Sequence, residues 1–310
     1  MEKDFLSISD ISRDDYIRLM DTAMTIKADI PAYYNALQGK TAVLIFDKPS
    51  LRTRVTFEVA MCQFGGKSIY MPGQDVQLGV RESVADGARN LSRWVDGIVM
   101  RTFGHGTIEE LAANAAVPVV NALTDLSHPC QALACILTLR EHVGDVTGKT
   151  LVFVGDGNNV AHSLMLLCPL AGMDFVMCCP EGYEPDESIV ELTLDSADRY
   201  GTSYRLTHDY ADAVERADLV YTDVWASMGQ EEEADSRTEI FRPFQVNASL
   251  MERAPDACLV SHCLPAHRGE EISSDVLDGP RSIAFDEAEN RLHVQKAVLY
   301  ELLGGRKRGA

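Results

Sequence analysis

Hydroxyl and guanidinium groups crowd one short segment of the chain, Ser50-Leu51-Arg52-Thr53-Arg54. An apolar run, Thr41 to Phe46, precedes it, and a helical periodicity from Arg52 to Phe64 follows, so a strand turns into a helix here. A helix N-terminus offers unpaired N–H groups and the positive end of the helix dipole, and Ser50 stands where a cap belongs. An arginine there adds a planar fork that suits phosphate oxygens. Arg52 and Arg54 point about 200° apart on a helix, so one faces a ligand and the other has a structural role.

A second segment, Asp125-Leu126-Ser127-His128-Pro129-Cys130-Gln131, opens the long helix from about Cys130 to His142. His128 and Gln131 should point into the crevice beyond the strand ends, where His128 could polarise a carbonyl or move a proton. Arg101 directly follows the strand Gly97–Met100 and is a candidate for the same crevice; an ion pair at the surface is its plainer reading. Gly155-Asp156-Gly157-Asn158-Asn159-Val160 matches the dinucleotide fingerprint only in part, because valine replaces the last glycine, and it argues weakly for a nicotinamide cofactor. Asn158 and Asn159 bring amides suited to a zwitterionic amino acid. Asp223, near Ser227-Met228-Gly229, could pair with an ammonium group. Cys263, in Ser261-His262-Cys263-Leu264-Pro265, could act as a nucleophile, although no partner base is evident. His262, Cys263 and His267 lack zinc spacing, so no metal is expected.

Holding these residues takes a scaffold of strands whose ends face one crevice. Short apolar runs alternate with helical periodicities, which predicts an α/β fold of two doubly wound parallel-sheet domains with the active site in the cleft between them. Strands are expected at Thr41–Phe46, Gly97–Met100 and Val117–Val120 in one half. In the other they are expected at Leu151–Val154, Phe175–Cys178, Leu219–Tyr221 and Cys258–Val260, with a helix from about Val160 to Ala171. The first domain covers residues 1–143 and the second 144–285. An amphipathic stretch at 286–310 could complete the second or return to the first; periodicity leaves both open.

With 28 Lys+Arg against 47 Asp+Glu, the 310-residue chain carries a formal charge of −19. That charge repels nucleic acid and anionic membranes, so neither is an expected partner. No signal peptide or bilayer-spanning run is evident, and eight cysteines without a Cys-x-x-Cys pair read as free thiols, which predicts a cytoplasmic protein. A carboxylate-rich shell with only eight lysines suits a salt-rich cytoplasm, where the screening length falls from about 10 Å toward about 3 Å.

From Phe46 to Lys296 these segments, in this order, resemble the aspartate/ornithine carbamoyltransferase family, and more narrowly its ornithine branch. Ser50-Leu51-Arg52-Thr53-Arg54 resembles the family's Ser-Thr-Arg-Thr-Arg phosphate signature, with leucine in place of the first threonine. His128-Pro129-Cys130-Gln131 resembles its His-Pro-x-Gln. Asp223 with Ser227-Met228-Gly229, and His262-Cys263-Leu264-Pro265, resemble elements of the ornithine branch. The resemblance implies transfer of the carbamoyl group of carbamoyl phosphate to the δ-amine of L-ornithine, giving L-citrulline and phosphate. Putrescine or lysine is the alternative acceptor. It implies no metal and no cofactor.

By the same resemblance, Ser50, Leu51, Arg52 and Thr53 hold the phosphate. Arg101, His128 and Gln131 hold the carbamoyl end, with Arg291 and the main chain at Cys263 and Leu264 nearby. Arg101, His128 and Cys263 are the implied catalytic residues. Asn159, Asp223, Ser227 and Met228 match the ornithine-binding positions. Gln77 matches a residue lent to a neighbouring subunit, which implies a homotrimer or a multiple of one. Arg54 takes the structural role, and the final helix returns to the first domain.

Overall fold

The strands assigned among the described residues all pair in parallel, as the alternation of strand and helix signals requires. The structure, a computed structural model, describes residues 3–226 and 234–304. It contains two compact units. One runs to Ala134 and resumes at Asn290; the other is Cys135–Glu289.

In the first unit, α1 (Arg13–Ala28) precedes β1 (Thr41–Phe46), α2 (Leu51–Gln63), β2 (Lys67–Pro72), α3 (Gly73–Val76) and α4 (Val84–Leu91). Then come β3 (Gly97–Arg101), α5 (His105–Asn114), β4 (Val119–Leu123) and the start of α6 (Pro129–Val143). Strand order β2-β1-β3-β4 puts the reversal of direction between β1 and β3. Chain leaving the two strands there diverges to opposite faces, which opens a crevice at their carboxyl ends. Ser50 and Arg52 follow β1, and Arg101 closes β3. Past Met100 the register shifts: Met100 lies opposite Asn121, but Arg101 lies opposite Leu123. The extra residue, Ala122, makes a bulge of the kind that re-aims a side chain beside a site.

The second unit repeats the plan with β5 (Thr150–Val154), α7 (Asn159–Ala171), β6 (Asp174–Cys178), α8 (Glu187–Tyr200), β7 (Tyr204–Thr207), α9 (Tyr210–Ala213) and β8 (Leu219–Thr222). After α10 (Ala234–Phe241) and α11 (Ala248–Met251) come β9 (Leu259–His262), α12 (Ser274–Leu277) and α13 (Ala284–Leu299). Its order, β7-β6-β5-β8-β9, reverses between β5 and β8. Helix α7 is buried from Val160 through Ala171, so its apolar residues need no polar face. Asn158 caps its start and Gly172, at φ 75°, its end.

The unit boundaries fall inside helices, at 134/135 in α6 and 289/290 in α13, and not in linkers. Lys27 donates to Asn290 Oδ1 at 2.9 Å, and Arg18 pairs with Glu301 at 3.1 Å, so residues 290–301 are tied to α1. Runs of apolar residues predict neither β2 nor β7. Both are edge strands, covered on one side only, and therefore need no continuous hydrophobic sequence.

Lys296 on α13 is fully buried, with its Nζ 5.9 Å from the Phe64 ring centre and no hydrogen-bond partner among the described residues. Burial pulls its pKa from 10.5 down to about 8. Between those values the unfolded chain binds more protons than the folded one, so this residue's destabilising effect is full below pH 8 and fades as pH rises toward 10.5. Lys296→Met should therefore stabilise the protein at neutral pH by about 2 kcal/mol, and the gain should vanish toward the upper end of that window. Urea unfolding across pH measures it; a variant no more stable than the parent at neutral pH would contradict this account.

Candidate active site

In the first unit the phosphate-type segment folds as its residue types dictate. Ser50 caps α2, its Oγ accepting from Thr53 N at 3.3 Å. The first turn of α2 therefore places main-chain N–H groups and the positive end of the helix dipole beside Arg52. Leu51 is 74% exposed at the first helical position. Arg54 is exposed, bonds Glu58 at 2.9 Å and lies 3.5 Å over the Tyr70 ring, which gives it the structural role.

His128 is presented by a turn in which Thr124 N donates to Ser127 O at 2.9 Å, steadied by Asn121, whose Nδ2 donates to Leu6 O at 2.8 Å. The imidazole is buried, and its pKa is held well below the ordinary 6.5 by burial and then by Arg291, Arg101 and Arg52. Three guanidinium groups therefore act on one neutral ring, which can donate a hydrogen bond to a carbonyl without a charge of its own. Arg101, Gln131 and Arg291 are buried as well. Arg291 donates through Nη1 to Gln131 Oε1 and through Nη2 to Thr53 Oγ1, the latter at 2.8 Å. The structure thus brings Thr53, Gln131 and Arg291 together, with Arg52, Arg101 and His128 in the same field. Lys48, buried with its Nζ 4.1 Å from the Phe103 ring centre, is a further cation of this segment that spacing did not single out. Gln77 stands elsewhere: exposed at the end of α3, in the left-handed region at φ 50°.

In the second unit Asp223 is the hub. Asn158 Nδ2 donates to its Oδ2 at 2.8 Å, while Cys263 Sγ and its neighbour's N–H, on Val224, donate to Oδ1 at 2.7 and 2.8 Å. Asn158 is committed to this pair and to capping α7, and Asn159 stands half-buried at the helix's first position. Leu264, half-buried at φ 54°, occupies a left-handed conformation uncommon for a branched side chain. Ser227 and Met228 lie outside the described residues.

The glycines of the dinucleotide-like turn have a local explanation. A Cβ on Gly157 would stand 2.3 Å from Pro185 N, so the main chain itself requires glycine there.

Asp223, His262 and Cys263 each bring one potential metal-ligand atom within 4.8 Å of the others, a set that sequence spacing does not reveal. Both nitrogens of His262 are committed, Nδ1 accepting from Leu264 N at 2.7 Å and Nε2 meeting Glu271 Oε1 at 2.9 Å. The network therefore assigns the ring proton to Nε2, and a metal would have to break one of these bonds. The buried partner, Glu271, was also missed by motif reading, because its role depends on a contact across the loop after β9.

A family model described as the carbamoyl-P binding domain of aspartate/ornithine carbamoyltransferase matches residues 3–141, and one described as the Asp/Orn binding domain matches residues 147–302. The chain belongs to the aspartate/ornithine carbamoyltransferase family. Among its relatives, the ornithine carbamoyltransferase of Pyrococcus abyssi is 52% identical over 99% of this chain and 98% of its own. The anabolic ornithine carbamoyltransferase of Pyrococcus furiosus is 50% identical over 98% of each. The solved structure of ornithine carbamoyltransferase from Pyrococcus furiosus superposes with a TM-score of 0.95 at 50% identity, covering 98% of both chains. Within the aspartate/ornithine carbamoyltransferase family assignment, Ser50, Arg52, Thr53, Arg101, His128 and Gln131 fall in the matched carbamoyl-P binding domain. Asn159, Asp223, Cys263 and Arg291 fall in the matched Asp/Orn binding domain.

The two arginines of α2 differ in their surroundings: Arg54 meets Glu58 and Tyr70, while Arg52 acts on His128. Arg52→Ala should weaken carbamoyl phosphate binding by about 100-fold, and Arg54→Ala by no more than about threefold. Isothermal titration calorimetry on the folded variants measures both, and equal losses would sink this assignment of roles.

Proposed function

We propose that the chain transfers the carbamoyl group of carbamoyl phosphate to the δ-amine of L-ornithine, giving L-citrulline and phosphate. One observation carries the reading: a buried, neutral His128 in the field of Arg52, Arg101 and Arg291, at the starts of two helices. This is a site for a small, highly charged acyl phosphate. The names of its relatives support ornithine as the acceptor.

In this reading, Ser50, Leu51 N–H, Arg52 and Thr53 take the phosphate, and Arg101, His128 and Gln131 take the carbamoyl group. Asn159, Asp223, Ser227 and Met228 take ornithine, with the Asp223 carboxylate matched to an ammonium group. An amine of this kind has a pKa near 10.4, so only about one part in 10³ is neutral at pH 7. The Cys263 sulfur, whose proton is given to Asp223, is placed to accept from the neutral δ-amine and orient it. Attack forms the new C–N bond; His128 and Arg101 stabilise the oxyanion, and the C–O bond to phosphate breaks. The amine proton leaves with the phosphate. Carbamoyl phosphate is already an activated acyl donor, so neither a metal nor an organic cofactor has a task. Most of the acceleration comes from positioning.

The same reading makes the protein a cytoplasmic enzyme of arginine synthesis. The anabolic name of the Pyrococcus furiosus relative supports arginine synthesis. The reading also makes the protein a homotrimer, or a multiple of one, with Gln77 lent to a neighbour. Support comes from the strained, exposed Gln77 and from exposed apolar side chains of the first unit, including Leu51, Val55, Ile69, Val80 and Trp94. Light scattering should return a multiple of three times 34.1 kDa; a monomer would refute it.

Purified protein should form citrulline from ornithine and carbamoyl phosphate faster than it carbamoylates putrescine, lysine or aspartate. Assays at about 0.1 M and about 1 M KCl should show higher activity at the higher salt, because screening offsets the repulsion between an acidic body and an anionic substrate. Equal or greater turnover of another amine overturns the choice of ornithine, and unchanged activity in dilute buffer overturns the salt dependence.

A further inference from the structure

Glu287 lies in the first turn of α13, next to Asp286, which pairs with His142 at 2.9 Å. Successive helical residues diverge by about 100°, and Glu287 turns inward, where it is fully buried. Its Oε1 accepts from Tyr221 OH at 2.6 Å and its Oε2 from Ser261 Oγ. These two donors are register partners on β8 and β9. Along a strand, positions i and i+2 share a face. The next pair on that face, just past the strand ends, is Asp223 and Cys263, which hydrogen-bond each other.

We propose that Glu287 is a positioning residue for the amine-binding pair: by bridging Tyr221 to Ser261 it fixes β8 against β9, and so fixes Asp223 against Cys263. The inference rests on the reading of Asp223 and Cys263 given above. Two further features hold the bridge. The Tyr221 ring stacks on Phe153 of β5, with centroids 5.7 Å apart and planes at 20°. The α13 N-terminus presents its positive dipole end to the carboxyl group. Burial and then the Glu287 carboxyl hold the Tyr221 phenol well above its ordinary pKa of 10, which keeps it a donor. Motif reading passed over Tyr221, Ser261 and Glu287 because none of them points at a substrate.

The test uses the full chain carrying Cys62→Ser, which removes an exposed thiol while the cysteines other than Cys263 are buried. Tyr221→Phe and Ser261→Ala each delete one arm of the bridge, and Glu287→Gln keeps its shape. Each single-arm variant should raise KM for ornithine by about tenfold while KM for carbamoyl phosphate stays within about twofold. Iodoacetamide should label Cys263 about fivefold faster than in the parent, because a loosened Asp223 no longer holds the thiol. Glu287→Gln should fall between parent and Glu287→Ala in both readouts. A lowered melting temperature with unchanged KM and unchanged labelling would show that Glu287 only supports the core, and would overturn the proposal. If the parent makes no citrulline but the labelling still changes as stated, the functional reading fails and the positioning role stands.

Discussion

A buried guanidinium organises the first unit. Arg291 is only 2% exposed, and an ion so placed forfeits several kcal/mol of hydration. Its bonds to Gln131 and Thr53 recover part of that loss, and both partners sit in the first turns of helices that open after strands. The turns of α2 and α6 are thereby held at one spacing before any ligand arrives. Burial, and then this positive charge with those of Arg101 and Arg52, holds the His128 pKa well below its ordinary value. A site built this way gathers positive charge that an anion would offset, which favours a charged acyl phosphate over a neutral competitor.

That local field exists inside a body of opposite sign. The chain carries 47 acidic and 28 basic residues, yet two guanidinium groups, Arg101 and Arg291, are buried beside His128 while carboxylates such as Asp86, Glu109 and Asp212 face solvent. Buried charges are screened by salt far less than exposed ones. Ionic strength therefore acts on approach to the protein more than on the bound state.

Much of this was legible in the sequence because strand ends carry chemistry in such folds. Ser50, Arg52, Arg101 and His128 are each found within a few residues of an apolar run, where a crevice forms. Helix geometry set the two arginines of α2 on different faces, and the family resemblance gave Arg54 the structural role; Arg54 leans on Tyr70. What stayed hidden depends on partners distant in sequence. The Arg291–Thr53 bond joins positions 238 residues apart, and the Tyr221–Glu287 bond joins positions 66 apart. Edge strands β2 and β7 were hidden for another reason: half-covered strands need no apolar run. The pair of glycines after β5 resembled a nucleotide motif, but Gly157 is explained by its closeness to Pro185.

The division of the chain also orders events during its own manufacture. Residues 135–289 form one uninterrupted stretch and can condense as soon as the last of them leaves the ribosome. The other unit is made from both sides of that stretch, and its central guanidinium, Arg291, is translated only after the whole second unit. A nascent chain stalled anywhere before that residue has the first turns of α2 and α6 without the guanidinium that bonds both. The contact that ties the first turns of α2 and α6 together is therefore completed only after the whole second unit has been made.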